Sequence, residues 1–187
     1  MRDASIPDMD PRELMRDLVR PEAYPLPEPA RVEVLETPRS LLFFTEADVY
    51  KVRKAGGREA SEAEVAQNGR YASGVYLGVV PIRRDPSGAA SFVGDGAVVG
   101  WAVHMLRLCD DARLDTRLRA RRFGDADADA LAAHLAAFRT EGEVRLDHVW
   151  MTDDRAITIL GGGDPRRLAR ELGPLGDRLL ETYQRLA

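Results

Sequence analysis

Three successive segments between residues 31 and 54 show the patterns typical of β-strands, which are alternation of apolar and polar side chains with a period of two and short apolar runs. They read RVEVLET, SLLFFTE and DVYKVRK. Thr37–Pro38 separates the first two, and Glu46–Ala47–Asp48 separates the second from the third. The sequence therefore predicts three antiparallel strands joined by turns. Any fold of this chain is expected to contain this small sheet.

One helix is predicted to interrupt this run of strands. Gly56 and Gly57 end the third strand, and residues 58–71 are rich in the Ala, Glu and Gln typical of a helix. Two further strands follow, VYLGVVPI and VVGWAVHMLRL, with a polar turn at RDPSG between them. The first hundred residues thus predict a sheet with one helix inserted after its third strand.

The sequence before the strands predicts a short amphipathic helix over residues 10–20, in which Leu14 and Leu18 share a face. The following PEAYPLPEPA contains four prolines, which preclude a regular helix and indicate an extended arm. Residues 1–30 are therefore expected to form a helix and an arm laid over the body of the protein.

The second half of the chain is predicted to be mainly helical. Residues 125–139 form an alanine-rich pattern with three apolar side chains on one face, Leu131, Leu135 and Phe138. The stretch VRLDHVWMTDDRAITIL predicts a β-hairpin about Asp153 and Asp154. After three glycines, Asp164 is suited to cap a helix, and two closing helices are separated by Gly173–Pro174.

Composition limits the class of protein. The 187 residues allow one domain or two small lobes, and 44% hydrophobic residues exclude wholesale disorder. The net charge of -4, with basic residues scattered among acidic ones, argues against a nucleic-acid partner. A single cysteine excludes an internal disulfide framework, and no apolar run or signal core predicts a membrane segment. We expect a cytoplasmic, bacterial-type protein.

The two lysines carry the first hint of function. Lys51 and Lys54 are the only lysines among 27 basic residues, and both lie in the third predicted strand. A lysine offers a compact point charge on a flexible stem, so in an arginine-biased chain it could mark a position that requires one. The alternative is that the two lysines have no special role.

The local sequence of the first half resembles the aminoglycoside phosphotransferase-like proteins, of the type often fused to a P-loop kinase domain. The resemblance covers residues 20–160 and lies in RPEAYPLP, VYK-x-x-K, VYLGVVPI and VVGWAVHMLRL. It implies an α+β, protein kinase-like fold, with an antiparallel-sheet N-lobe that carries one inserted helix and a shortened, mainly helical C-lobe. The expected division is 1–30 for the helix and arm, 31–108 for the N-lobe and 109–187 for the C-lobe.

The resemblance also implies a nucleotide site. Lys51 matches the strand lysine that binds the α- and β-phosphates of ATP, and Glu64 matches the helix glutamate that holds it, with Glu62 as the alternative. Backbone groups at a hinge would receive adenine, and the matching positions are Gly100, Trp101 and Ala102. Residues 45–48 would cover the phosphates, although their two acids would repel a triphosphate.

The catalytic loop departs from the family pattern H-G-D-x-H-x-x-N, because this chain reads EGEVRLDH over residues 141–148. Relatives carry a metal-binding Asp at or near Leu160, and leucine cannot hold magnesium. The base and both metal ligands are thus replaced, which argues against a bound magnesium ion; the changed positions are Glu141, Glu143, Arg145, His148 and Leu160. Asp164 is explained by its capping role rather than by a displaced metal site.

These changes predict a catalytically degenerate, pseudokinase-like protein that acts by binding, with ATP as its candidate ligand. One alternative is an active ATP-dependent phosphotransferase in which Glu143 serves as base and Asp147 helps to hold the metal. The second is a structural or assembly subunit without a nucleotide site. Fewer than thirty residues follow the catalytic region, so we expect a protein partner or self-association, with no nucleic acid and no membrane.

Other chemistry-bearing residues favour structural roles. The three histidines, His104, His134 and His148, lack metal-ligand spacing, and Cys109 beside two aspartates lacks the positive surroundings that activate a thiolate. The arginine-rich segment 113–122 is interpreted as a solvated helix face, with an anion-binding or partner-binding surface as the alternative.

Overall fold

The computed structural model describes residues 10–69, 72, 74–137, 144, 148–155, 157–159 and 164–187. Over these residues the fold is α+β. In chain order the elements are α1 (Pro11–Leu18), β1 (Glu33–Glu36), β2 (Ser40–Phe44), β3 (Asp48–Arg53), α2 (Arg58–Asn68), β4 (Tyr76–Arg84), β5 (Ala90–Ser91), β6 (Val98–Leu106), α3 (Leu114–Arg119), α4 (Asp125–Ala137), β7 (Val149–Met151), β8 (Ile157–Ile159), α5 (Arg166–Leu172) and α6 (Pro174–Leu186).

The described residues divide into two compact units. One contains those up to Gly69 together with 74–107, and the other contains those from Leu108 onward. The first unit holds α1, α2 and the strands β1 to β6, and the second holds the remaining helices and the β7–β8 hairpin. None of the helices in the described ranges combines the length and the apolar character needed to cross a membrane.

The first unit is built on a six-stranded antiparallel sheet with the strand order β1-β2-β3-β6-β4-β5. The three strands predicted between residues 31 and 54 are confirmed, as is the helix inserted after the third of them. The pairing register places Leu42 of β2 opposite Lys51 of β3, and Lys51 opposite Val103 of β6. Lys51 therefore lies in the middle of the sheet, because β6 separates β3 from β4.

Alternation along the strands separates the two faces of this sheet. On one face, Leu41, Phe43, Tyr50 and Val52 are buried with Leu14 and Leu18 of α1 in an apolar core. Their strand neighbours, including Lys51, point to the opposite face, because successive residues of a strand point to alternate sides. That opposite face is the one from which α2 contacts the sheet, through β4 and β6.

α1 is joined to the sheet by polar contacts as well as by its leucines. Asp10 caps the helix by accepting the backbone N–H of Arg12 at 2.9 Å. Asp17, on the buried side of the helix, accepts the backbone N–H of Ala90 at 3.0 Å. This contact joins α1 to β5, a two-residue strand that pairs with β4 and that no sequence pattern predicted.

The proline-rich segment after α1 combines anchored and exposed residues. Tyr24 is buried and donates its hydroxyl hydrogen to the carbonyl of Leu18 at 2.7 Å, and Ala23 accepts the backbone N–H of Phe92 at 2.7 Å. Leu26 is 84% exposed. The segment is thus fixed to the first unit at its beginning, while Leu26 is exposed to solvent.

The second unit has its own apolar core, formed by α4, α5, α6 and the hairpin. Its largest fully buried side chains are Leu114, Leu131, Val144, Met151, Leu168 and Leu179. α4 and α6 are further joined by Arg178, whose Nη1 lies 3.2 Å from Asp125 and whose Nε donates to Asp129 at 3.0 Å. The hairpin predicted about Asp153 and Asp154 is confirmed, with Val149 opposite Ile159.

The two closing helices are confirmed on either side of Gly173, which adopts a positive φ of 60°. The helix predicted over residues 125–139 is present from Asp125 to Ala137 with Leu131 and Leu135 buried. Phe138 and residue 139 lie outside the described residues. The helix predicted over residues 58–71 ends at Asn68.

Candidate functional site

A buried glutamate and a half-buried lysine form the central contact of the face that α2 approaches. Lys51 Nζ donates to Glu64 Oε1 at 2.7 Å. The Glu64 side chain is 7% exposed and that of Lys51 is 28% exposed. The ion pair that the resemblance implied is therefore present. Glu62, the alternative, instead accepts from Arg58 at 2.7 Å on the outer side of the same helix.

Local sequence explains why Glu64 reaches the sheet. α2 begins at Arg58 after the flexible Gly56–Gly57 pair, and Ser61 and Glu64 are buried at the (i, i+3) spacing of one helix face. The exposed Glu62 lies between them on another face. Helical periodicity thus selects one of the two candidate glutamates for the sheet side.

Arg53 is a second cation on the same carboxylate, and the sequence reasoning did not identify it. Its Nη1 donates to Glu64 Oε2 at 3.2 Å, and its Nε donates to the carbonyl of Ala55 at 3.4 Å. Arg53 is two residues after Lys51 in β3, so both side chains leave the strand on one face. The two-residue spacing of Lys51 and Arg53 in a predicted strand is the sequence feature that indicates a shared face.

Two positive charges therefore share one buried negative charge. The formal charge of Lys51, Arg53 and Glu64 together is +1, and the arginine side chain is 37% exposed. The carboxylate holds both cations in place, while each cation keeps part of its surface in water. The cluster is suited to attract an anion, because ordered cations with unused donors bind oxyanions by charge-assisted hydrogen bonds.

Apolar side chains extend from this cluster across the same face of the sheet. Leu35 pairs with Leu42, which pairs with Lys51, and Phe44 pairs with Val49 two residues before the lysine. Leu35 is 52% exposed, and Leu42 and Phe44 are half-buried. We call Leu35, Leu42, Phe44 and Val49 the apolar strip. Val49 is buried and the Arg107 guanidinium lies 5.4 Å from the centre of the Phe44 ring, so Leu35 and Leu42 supply most of its accessible apolar surface.

Tyr76 and Trp101 border the cluster on the α2 side. Burial, and next the negative charge of Glu64, raise the pKa of Tyr76 to about 12. The Arg58 guanidinium lies 4.8 Å from the centre of the Trp101 ring, at the start of α2. The phenol of Tyr76 is therefore uncharged at neutral pH, and the first turn of α2 is tied to β6.

The structure corrects the placement of Gly100, Trp101 and Ala102 at a hinge. All three lie within β6, which continues to Leu106, and they face Ile82, Pro81 and Val80 of β4, in that order. Ala102 is also paired with β3. The chain passes from the first unit to the second only after Arg107. The apolar run VVGWAVHML explains this, because nothing in it interrupts a strand before the polar residues that follow.

The turn over residues 45–48 is held by its own side chains. The Thr45 hydroxyl accepts the backbone N–H of Asp48 at 2.9 Å, and Arg107 donates to the Thr45 carbonyl at 2.8 Å. The two acids of the turn both have partners. Glu46 accepts the backbone N–H of Ala30 at 3.1 Å, and Asp48 Oδ1 lies 3.1 Å from His104 Nε2.

His104 occupies the opposite face of the sheet from Lys51. Its ring stacks on Tyr50 with 4.5 Å between centroids and 10° between planes. Tyr50 also contacts Tyr24 and Phe92, and burial raises its pKa to about 12. The expectation of a structural role for His104 fits this position, because the imidazole completes an aromatic cluster on the α1 side.

In the second unit, four of the five changed positions lie outside the described residues: Glu141, Glu143, Arg145 and Leu160. Asp147, the alternative metal-binding residue, lies outside them as well. His148 is described and is half-buried immediately before β7. Asp164 accepts the backbone N–H of Arg166 at 2.8 Å, so it satisfies a donor in the first turn of α5, although the N-cap position itself is Pro165.

The arginine-rich segment 113–122 is a solvated face only in part, because Arg119, Arg121 and Arg122 are exposed whereas Arg117 is not. Arg117 in α3 is 95% buried, and its Nη1 donates to Asp153 of the hairpin at 2.6 Å. Arg113 donates to Asp115 at 2.6 Å. Several charges of this segment are therefore used inside the unit. Within the described part of the chain, no three His, Cys, Asp or Glu side chains are grouped to hold a metal ion.

Comparisons with known proteins give few similarities. No family model matches the chain, and no curated protein matches it. Among solved structures, a crystal structure of WbdD is similar, with 17% sequence identity and a TM-score of 0.40. The similarity covers 82% of this chain and 45% of WbdD, so the chain spans less than half the length of that protein.

Proposed function

We propose that this chain is a kinase-like nucleotide-binding protein that does not transfer phosphate and that acts by binding. The observation that carries the proposal is the Lys51–Glu64 ion pair, formed between a central strand and the helix inserted after it. The pair fixes a lysine beside a partly exposed face of the sheet. Lys51 would bind the phosphates of ATP, and Glu64 would hold its ammonium group in one rotamer.

The hydrogen-bonding capacity of Lys51 supports this role. An ammonium group has three donors, and in the described structure Nζ uses one of them, toward Glu64. Because the side chain is 28% exposed, the other two can reach an incoming oxyanion. Lys54 differs, since it binds the half-exposed Glu36 of β1 at 2.5 Å and has no buried carboxylate beside it.

The apolar strip supports a base or another flat ring as the second part of the ligand. Leu42 is the cross-strand neighbour of Lys51, and Val49 precedes the lysine by two residues on the same face. A ring placed against Leu35, Leu42 and Phe44 would bury apolar surface that is now partly exposed. A nucleotide combines such a ring with a chain of phosphates. The apolar strip and the charged cluster lie beside each other on one face of the sheet, which matches these two parts of the ligand.

The absence of transfer chemistry rests on the sequence. The resemblance requires an Asp base and an Asn metal ligand where Glu143 and His148 stand, and a metal-binding Asp where Leu160 stands. A phosphoryl transfer enzyme needs these oxygens to orient the acceptor and to hold magnesium. We therefore propose ATP binding without turnover. We also propose that the protein acts by binding a protein partner or a second copy of itself.

The direct test is ATP binding by titration calorimetry, with and without magnesium, on wild type, Lys51→Met and Lys54→Met. Methionine keeps the aliphatic stem and removes the charge, and Lys54 provides a matched control in the same strand region. Loss of one charge-assisted contact predicts that Lys51→Met weakens ATP binding by about tenfold or more. The Lys54 variant is expected to stay within about twofold of wild type.

The other outcomes separate the alternatives. Magnesium-dependent ATP turnover that disappears in Lys51→Met would establish an active phosphotransferase, using Glu143 and Asp147, and would refute the proposal. If wild type binds no nucleotide, the remaining alternative is a structural or assembly subunit without a nucleotide site. Light scattering after gel filtration tests self-association, because it gives the molar mass in solution directly.

A chemical probe gives an independent readout of position. An ATP analogue acylated on its terminal phosphate delivers the acyl group to a nearby amine, forming an amide and releasing ATP. This chain has two lysines, so mass spectrometry can assign the label to Lys51 or Lys54 without ambiguity. We expect labelling of Lys51 that excess ATP suppresses, and equal labelling of both lysines would contradict a defined phosphate position.

A further inference from the structure

We propose that Arg53 is a second phosphate-binding residue of this site and that, together with Lys51, it binds the phosphates of a nucleotide of the ADP or ATP type. The inference rests on the proposed function, because it assumes that Lys51 receives a phosphate. It is carried by the contact of Arg53 and Lys51 with the two oxygens of one carboxylate.

The positions of the two cations are fixed independently of a ligand. Oε1 of Glu64 accepts from Lys51 and Oε2 accepts from Arg53, so one buried group holds both. The Arg53 Nε contact with the Ala55 carbonyl adds a second restraint on the guanidinium. Restraint before binding favours affinity, because less side-chain freedom remains to be lost when the ligand arrives.

Unused donors on both cations determine what can bind. In the described part of the chain, Arg53 uses its Nε hydrogen and one Nη1 hydrogen, which leaves one on Nη1 and two on Nη2, and Lys51 retains two ammonium hydrogens. Both side chains are partly exposed, so these donors can meet a solvent-borne ligand. Because both charged groups contact Glu64, the two sets of donors are presented on the same face of the strand.

The shared carboxylate brings the two charged groups together. The Cα atoms of Lys51 and Arg53 are roughly 6.6 Å apart along β3, but Nζ and Nη1 contact the two oxygens of one carboxylate, at 2.7 and 3.2 Å. Both cations can therefore donate to oxygens of one phosphoryl group or of two neighbouring ones. The cluster carries one excess positive charge, which favours an anionic ligand such as the phosphate chain of a nucleotide.

The test compares ligands with and without phosphates on wild type, Arg53→Gln, Arg53→Lys and Lys54→Gln. Calorimetry with ADP, inorganic tripolyphosphate and adenosine measures each dissociation constant at one ionic strength. Removal of a charge-assisted contact predicts that Arg53→Gln weakens ADP and tripolyphosphate binding by about tenfold and leaves adenosine binding unchanged. Arg53→Lys should recover most of the loss, and Lys54→Gln should show none.

The same variants and ligands distinguish unfolding of the site from loss of the contact between Arg53 and a phosphate. Damage to the site as a whole would weaken adenosine binding together with ADP binding, and would not be rescued by lysine. Unchanged ADP binding in Arg53→Gln, with binding lost in Lys51→Met, would overturn the role of Arg53 and leave the proposed function intact. Wild type that binds neither ADP nor ATP would refute the proposed function itself.

Discussion

Replacing Glu64 by glutamine should destabilise the first unit by about 2 kcal/mol, because the carboxylate is the only buried partner described for two cations. Glutamine has nearly the same volume, so packing against the sheet is kept. What changes is charge. The amide can accept one hydrogen bond, but its NH₂ group then faces a cation that also donates.

The magnitude follows from three effects. A hydrogen bond to a charged group contributes about 1.5–3 kcal/mol, and two such bonds, of 2.7 and 3.2 Å, are weakened or lost. Two opposing effects reduce the cost: a neutral amide is cheaper to bury than a carboxylate, and the cations are 28% and 37% exposed and regain water. For a unit of about 100 residues, a net loss of about 2 kcal/mol corresponds to a melting temperature lower by about 8–16 °C.

The tryptophans allow the two units to be followed separately. Trp101 lies in β6 of the first unit and Trp150 lies in β7 of the second, and the chain contains no other. Urea unfolding of Glu64→Gln in a Trp150→Phe background therefore reports on the first unit alone. We expect a lower urea midpoint from Trp101 fluorescence, and a smaller change from Trp150 fluorescence in a Trp101→Phe background.

Glu62→Gln is the matched control, since it removes a carboxylate from the same helix where the contact with Arg58 is exposed. An exposed (i, i+4) pair contributes only about 0.3–0.5 kcal/mol, so its midpoint should hardly move. Equal midpoints for Glu64→Gln and Glu62→Gln would show that burial of the Glu64 carboxylate has no energetic consequence. That result would remove the physical basis for a fixed Lys51 rotamer.

Three further outcomes are expected. Hydrogen bonding by Arg117 lowers the pKa of Asp153 in the folded state. The stability that this pair contributes is therefore present above about pH 4 and is lost as the pH falls through the folded-state pKa of Asp153. The difference in stability between wild type and Asp153→Asn, measured by urea unfolding, should shrink from pH 6 to pH 2. Burial raises the pKa of Tyr50 and of Tyr76 to about 12, so ultraviolet titration should leave these phenols un-ionised at pH 10.5, and stability should decline above about pH 10. Phe43 is fully buried, and Phe43→Ala should cost about 3–5 kcal/mol in the same unfolding assay.

Local pattern was sufficient to predict the strands between residues 31 and 54, because alternation and turn residues act over a few positions. The ion pair between Lys51 and Glu64 needed more, since residues thirteen apart meet only when α2 lies on the sheet. The resemblance supplied that placement. Periodicity alone left Glu62 and Glu64 open, and the helix face in the structure decides between them.

The contacts that sequence did not reveal depend on non-local pairing. Stacking of His104 on Tyr50 requires β6 to pair with β3 in one register, and this pairing spans more than fifty residues. β5 has no pattern of its own; it pairs with β4, and its Ala90 N–H donates to Asp17 of α1, which is distant in the sequence. Burial of Arg117 against Asp153 depends on the position of a hairpin tip that charge composition cannot predict.

The placement of Gly100, Trp101 and Ala102 at a hinge has a different origin. It comes from the resemblance alone, whereas in the structure the nine residues of β6 form one strand that includes all three. Ala102 has paired neighbours on both sides, in β3 and β4, and its backbone groups are therefore within the ladder. A nucleotide base would be expected at the apolar strip rather than at the backbone of these residues.

The position of Lys51 depends on the opposite face of the same strand. Tyr50 and Val52, its immediate neighbours, are buried with Phe43 in the core that α1 completes. A slip of one residue in the pairing of β3 would expose both and bury Lys51 in their place, which makes the slipped register unfavourable. The apolar core thus specifies the register, and the register presents Lys51 and Arg53 together to Glu64. Variants in this core should weaken ligand binding only to the extent that they unfold the sheet, whereas Lys51 and Arg53 variants should weaken it in a sheet that remains folded.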